Sequence, residues 1–213
     1  MRRESPNSTG TRYKAYGELE MRELKDYSAE FNPDLRFEDF SKDILVGLLK
    51  LYSRLLVALD GLWYLSVKER AGNEEAMTCD KWVWERALRY MTQDIAELIK
   101  VPGKDVVDFM KVLQARPMHL VIEEKMEVIN KNDVVLTVTH CPTLEALEKE
   151  GEGREETHCE LACSLMRTKH VQLFNPDMEV RCLKLPPRKD DGDICCQWEY
   201  WLEEGSPTTR YTP

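Results

Sequence analysis

The sequence predicts an α+β protein, with an N-terminal helical region packed on a C-terminal antiparallel sheet and the later elements in the order ββααββ. Three observations carry that expectation. Apolar residues recur at the 3.6-residue helical period from Ile44 to Leu113. Beyond Pro117 the period falls to two in four short segments. Turn-forming clusters separate those segments, and two stretches of helical period lie between the second and the third.

Along the chain, residues 1–35 are polar and mixed in charge, and they read as a flexible tail that turns helical around Glu18–Tyr27. Residues 36–116 form the helical region. Ser41 caps its first helix, and Ile44, Leu45, Leu48, Leu49, Tyr52, Leu55, Leu56 and Leu59 mark one face. Ala71-Gly72-Asn73 breaks the pattern. A second helix covers about Glu74–Lys100 and ends at Pro102-Gly103, and a third covers Asp105–Ala115. Residues 117–204 form a cysteine-rich α+β domain. Met118, Leu120, Ile122 and Met126 alternate as a first strand, Asn130–Asp133 makes a turn of about four residues, and Val134–Cys141 is the second strand. Leu144–Glu150 and Thr157–Phe174 are helices, and Met178–Leu185 and Ile194–Leu202 are strands. Residues 205–213 are a second tail.

Composition narrows the function. The 213 residues suit one domain, or one domain with a helical extension, and 42% hydrophobic with 32% charged residues suits a globular chain. Thirty basic against 39 acidic residues give a net charge of −9, which excludes phosphate backbones as a main partner. The longest apolar runs, such as Ile44–Leu49, fall far short of the ~20 residues of a membrane span. The start, MRRESPNSTG, has no apolar core behind its arginines, so the expected location is the cytoplasm. A phosphate-cradling glycine loop, a G-x-S-x-G elbow and an H-E-x-x-H helix are all missing, which argues against nucleotide-dependent and serine-hydrolase chemistry.

The seven cysteines are the chemical signal. An odd count without an export signal points to reduced thiols. Thr157-His158-Cys159-Glu160 fits a capping box, which places Cys159 in the first helical turn, where the helix dipole favours thiolate. Cys163 follows four residues later on the same face, with Met166 and His170 beyond it. Cys141 leaves a strand beside His140. Strand alternation turns Cys182 and Cys196 inward and Cys195 outward. Cys141, Cys159, Cys163 and Cys196 can therefore form a soft metal site for zinc or an iron–sulfur cluster, or can be plain packing or reactive thiols. The C-x3-C spacing does not decide between these. His140 and His170 read either as core histidines or as neighbours of such a site. Asp60-Gly61-Leu62-Trp63 and Asp80–Glu85 combine acids with tryptophans and can line a pocket, or form a helix–helix core with peripheral carboxylates. Glu123-Glu124 and Glu155-Glu156 read as solvated faces.

His140-Cys141-Pro142, His158–Cys163, Val180-Arg181-Cys182 and Gly192–Trp198, in that order, resemble the vinyl-reductase-like small-ligand domain and the related L-2-amino-thiazoline-4-carboxylic acid hydrolase group. The likeness covers about residues 118–203, and Cys196 and Trp198 fit the final cysteine and aromatic of that pattern. The helical half looks like that of prokaryotic proteins which join such a region to this tail. The resemblance implies an α+β domain for a small hydrophobic or heterocyclic ligand, with hydrolysis of a C=N or C–S bond in some relatives and cysteine-bound metal in parts of the group. Cys163 departs from the small residue usual at its place, which favours a metal-site variant. The expected function is thus a metal or iron–sulfur protein, with hydrolase activity on a small heterocycle, and the alternative is a non-catalytic ligand-binding or sensory module. The expected partners are a small-molecule ligand and a second copy of the chain as a homodimer.

Overall fold

The computed structural model describes residues 23–190 and 192–203. The expected tail at 205–213 and the first 22 residues lie outside them. Contacts divide the chain into a unit that ends at Leu48 and a unit that begins at Leu49.

In the first unit, Glu23–Tyr27 is not helical as expected; Leu24 instead pairs with Phe40 in an isolated parallel bridge. Tyr27 and Phe37 both set their ring edges against Phe40, with centroids 6.3 and 6.4 Å away. Ser41 accepts a hydrogen bond from the Ile44 amide at 3.4 Å, the expected cap of helix α1 (Lys42–Ala71).

The second unit carries the remainder of α1 and all later elements. Helix α2 (Asn73–Arg89) runs through a π turn, Tyr90–Asp94, into α3 (Ile95–Leu98). Helix α4 (Val106–Ala115) is capped by Asp105, whose carboxylate accepts from the Asp108 amide at 2.9 Å. Pro117 then opens a 3-10 turn to Leu120, so strand β1 is Glu123–Asn130 and begins later than the alternation from Met118 predicts. The His119 amide binds the Arg116 carbonyl and the Ile122 amide binds the Met118 carbonyl, so this segment is spent on a local turn. Asn130 pairs with Asp133, which leaves a two-residue hairpin turn instead of four before β2 (Asp133–His140).

Pro142 sits in the first turn of α5 (Pro142–Glu150), where its missing N–H is no loss, and Gly151 ends the helix at φ 70°, a left-handed conformation that glycine adopts without steric penalty. Helix α6 (Arg154–His158), a second π turn (Cys159–Cys163) and α7 (Ser164–Phe174) follow without interruption. Strands β3 (Glu179–Lys184) and β4 (Cys196–Trp201) complete a four-stranded antiparallel sheet of order β1-β2-β4-β3.

The helical region and the sheet form the expected α+β plan. Val134, Leu136, Trp198 and Tyr200 present one buried face of β2 and β4, in registers Val134 to Tyr200 and Leu136 to Trp198. Phe109 of α4 and Phe174 of α7 belong to the same buried core, with ring centroids 5.4 Å apart. Each such side chain contributes roughly 1.5–3 kcal/mol by leaving water. Helix α1 differs: Leu55, Leu59, Leu62 and Trp63 stay more than half exposed. Among the described residues no helix is long and apolar enough to cross a membrane.

Candidate functional site

The second unit carries a half-open cavity of about 210 Å³. Its apolar wall includes Val57, Leu88, Met91, Met118, Ile122 and Leu185. Into this wall are set two acids, two arginines, two histidines and five cysteines, an unusual density of polar groups for an apolar pocket.

The acids are Asp60 on α1 and Asp80 on α2, both half-buried. Burial raises the pKa of Asp60. At Asp80 burial acts first and the facing Asp60 charge second, and together they push its pKa up to about 7. The Trp84 indole N–H favours the ionised form of both. His158 sits nearby on α6, its ring edge-on to Tyr64 at 6.0 Å. Desolvation, then the Arg154 charge, lower its pKa, and its Nδ1 is buried without a partner.

The basic group lies on α7 and just beyond α4. Arg167 is half-buried; its Nη1 donates to the Tyr200 hydroxyl, and its guanidinium carbon lies 4.8 Å from the Trp198 ring centroid. Its pKa is raised: burial opposes its charge, but Tyr200, Cys196, Cys163 and Glu124 outweigh that. Arg116 is paired with Glu124, whose other oxygen is 3.2 Å from His119 Nδ1. The Glu124 side chain is fully buried, so this acid is not the solvated residue its sequence neighbourhood suggests. In the other pair read as solvated, Glu156 is exposed but Glu155 is half-buried, with Oε2 enclosed and unpartnered. His170 is 5% exposed and stacks edge-on against Phe109 at 5.0 Å. Burial first, then Arg116 and Arg167, drive its pKa down to about 3, so it is neutral at physiological pH.

The thiols lining the cavity are Cys141, Cys159, Cys163, Cys195 and Cys196. All four expected metal ligands are therefore among them. The helix of Cys159 begins earlier than the capping box predicts: Gly153 is its N-cap and Arg154 its first residue, so Cys159 falls in the π turn and not at the positive helix end. The Cys159 pKa is accordingly raised, mainly through its hydrogen bond to Cys163. Cys163 moves the other way. The same bond, and then the Arg167 guanidinium, lower its pKa against the opposing effect of burial, while Asp80 resists. Cys163 thus feels both the acidic and the basic group. Burial pushes the Cys141 thiol up to about 12, and burial raises Cys195 and Cys196 as well.

The alternation of β3 and β4 misleads at two cysteines. Cys182 is exposed on the edge strand, and Cys195 is buried. Cys195 precedes β4 in a bend, where its amide binds the Val138 carbonyl, so strand alternation does not govern it. His140 also leaves the core face: its Nδ1 is 2.8 Å from Glu145 Oε1, and its side chain is 38% exposed. Among the described residues no three His, Cys, Asp or Glu side chains are gathered closely enough to hold one ion. The four thiols share a cavity without forming a coordination sphere, so no step through zinc or an iron–sulfur cluster follows from their placement.

Asp60, Asp80 and Trp84 were legible as pocket residues from their acid–tryptophan segments, although Trp63 and Trp82 of the same segments are exposed. Arg116 and Arg167 carried no sequence signal, and His158 gave none beyond its place next to a cysteine. The family described as "Family of unknown function (DUF6125)" matches residues 38–202. No curated protein and no solved structure matches.

Proposed function

We propose, on the premise that the chain belongs to the DUF6125 family, that its second unit is a binding module for a small organic molecule with a largely apolar body. The cavity carries this reading: about 210 Å³ between helices and sheet, with apolar walls and a convergent set of acids, arginines, histidines and thiols. A dry cavity of about 150 Å³ accepts benzene, so this one suits a body of one or two rings. The resemblance of residues 118–203 to the vinyl-reductase-like small-ligand domain supports it. The test is titration of a neutral aromatic, naphthalene-2-carboxamide, followed by its fluorescence. Saturable binding at one site is expected, and Leu88→Trp, which fills the cavity, should weaken it by about tenfold or more. Binding that ignores this substitution would place the ligand elsewhere and overturn the reading.

The thiols favour a second reading, in which the module also acts on its ligand. Cys163 is drawn toward thiolate with Cys159 as its hydrogen-bond donor, the arrangement of an activated nucleophile. A thiolate there can add to the carbon of a C=N bond in a small heterocycle. As the S–C bond forms, the π pair of the C=N bond moves onto the nitrogen, which stays bound to that carbon and takes its proton from Asp80, which burial keeps partly protonated near neutral pH. Mass mapping of iodoacetamide adducts checks this: Cys163 should react before Cys159, and equal rates would remove the catalytic version. Metal analysis of anaerobically purified protein is the companion measurement. A stoichiometric soft metal would overturn the purely organic reading and restore the thiolates as ligands.

A further inference from the structure

We propose that the ligand of this cavity is a carboxylate, its anionic head held by Arg167 with His170 beside it. This rests on the cavity being a binding site and adds the chemical class of what it binds.

Arg167 lines the cavity, and its partners are the Tyr200 hydroxyl and the face of Trp198. A guanidinium offers five N–H donors, and one phenol oxygen does not saturate them. Among the described residues no carboxylate forms an ion pair with Arg167. The acid that acts on it electrostatically, Glu124, is already engaged by Arg116 and His119. A guanidinium in an apolar wall without a counter-carboxylate is costly unless something supplies the negative charge.

His170 is the second, independent observation. It stands three residues further along the same helix, so the two side chains share a face. It is buried, it lines the cavity, and its Nε2 is enclosed with no hydrogen-bond partner. Buried polar nitrogens are rarely left unpaired, so a vacant one at a cavity wall points to a ligand atom. A neutral imidazole with its proton on Nε2 donates one hydrogen bond without adding charge. Arg167 supplies the charge and the fork geometry that suit a carboxylate.

The experiment compares naphthalene-2-carboxylate with naphthalene-2-carboxamide, equal in shape and different by one charge, by fluorescence titration on the full chain. Wild-type protein is expected to bind the acid at least about tenfold more tightly than the amide. Arg167→Met should weaken the acid far more than the amide and so abolish that preference, and Arg167→Lys should restore part of it. His170→Gln should weaken the acid several-fold and the amide by less. Equal wild-type affinities, or equal losses for both probes in Arg167→Met, would overturn the carboxylate assignment and leave the binding module standing. Failure of both probes to bind would remove the module and this assignment together. The wild-type comparison decides the matter even if Arg167→Met does not fold.

Discussion

The acidic and the basic groups of the cavity solve the problem of buried charge in opposite ways. Asp60 and Asp80 lower their joint charge by holding a proton, because burial raises both pKa values and the Asp60 charge raises that of Asp80 further. Arg167 cannot shed its proton, so its charge persists, and the neutral phenol and indole around it do not cancel it. His170 stands by Arg167 and gives up its own charge instead. One group is balanced from within the chain, and the other is left for something to complete. Sites of recognition are found where a fold leaves an imbalance of the second kind.

The largest expected effect comes from removing the wall on which Arg167 rests. Trp198 is almost fully buried, and Trp198→Ala should lower stability by about 3–5 kcal/mol in urea unfolding. It should also erase any acid-over-amide preference among the folded molecules. A loss confined to stability would show that Arg167 is positioned without the indole face.

The next effect separates the two groups by pH. His170 has a folded pKa depressed from 6.5 to about 3, with Arg116 and Arg167 facing it. The unfolded chain therefore binds the extra proton. The contribution of neutral His170 is fully present above pH 6.5 and is lost as pH falls toward 3, by up to a few kcal/mol. His170→Gln should remove that acid-side slope. Asp80 behaves oppositely. Its folded pKa is raised from 3.8 to about 7, so its contribution is present below 3.8 and is lost as pH rises through 7. Asp80→Asn should flatten this slope and raise stability at pH 8, by on the order of 1–2 kcal/mol once solvent screening is allowed for. Urea titrations from pH 4 to 8 measure both slopes. Equal slopes in the wild type and either variant would break the contrast between the groups.

The smallest expected effect is on the cysteine that the cavity does not use. Cys182→Ser, at an exposed edge-strand position, should change stability by less than about 0.5 kcal/mol and leave probe binding untouched.

Much of the fold was legible because its signals are local. Asp105, Pro142 and Gly151 mark helix ends by their own chemistry, and the change of period after Pro117 separates helices from strands. What escaped was long-range. Alternation tells which residues share a strand face, but not that β4 enters between β2 and β3 and leaves β3 at the edge. That placement exposes Cys182, and the bend before β4 buries Cys195. Glu124 reads as surface until Arg116 and His119 close on it from the preceding turn. The candidate site was half visible. Its thiols and its aspartates stand out by residue type, whereas an arginine on a helix looks the same in sequence whether it meets solvent or a cavity.

The π turn at Cys159–Cys163 has a consequence for how this protein can change. A π turn is an α-helix carrying one surplus residue, and each residue turns a helix by about 100°. Deleting a single position there would let the segment relax to ordinary winding. Arg167 and His170 would then swing away from the cavity, while the stretch before Cys159 kept its place. One codon thus separates two aims of the same helix, and insertion or loss at this point is a short route by which a lineage could retune what it binds without rebuilding its core.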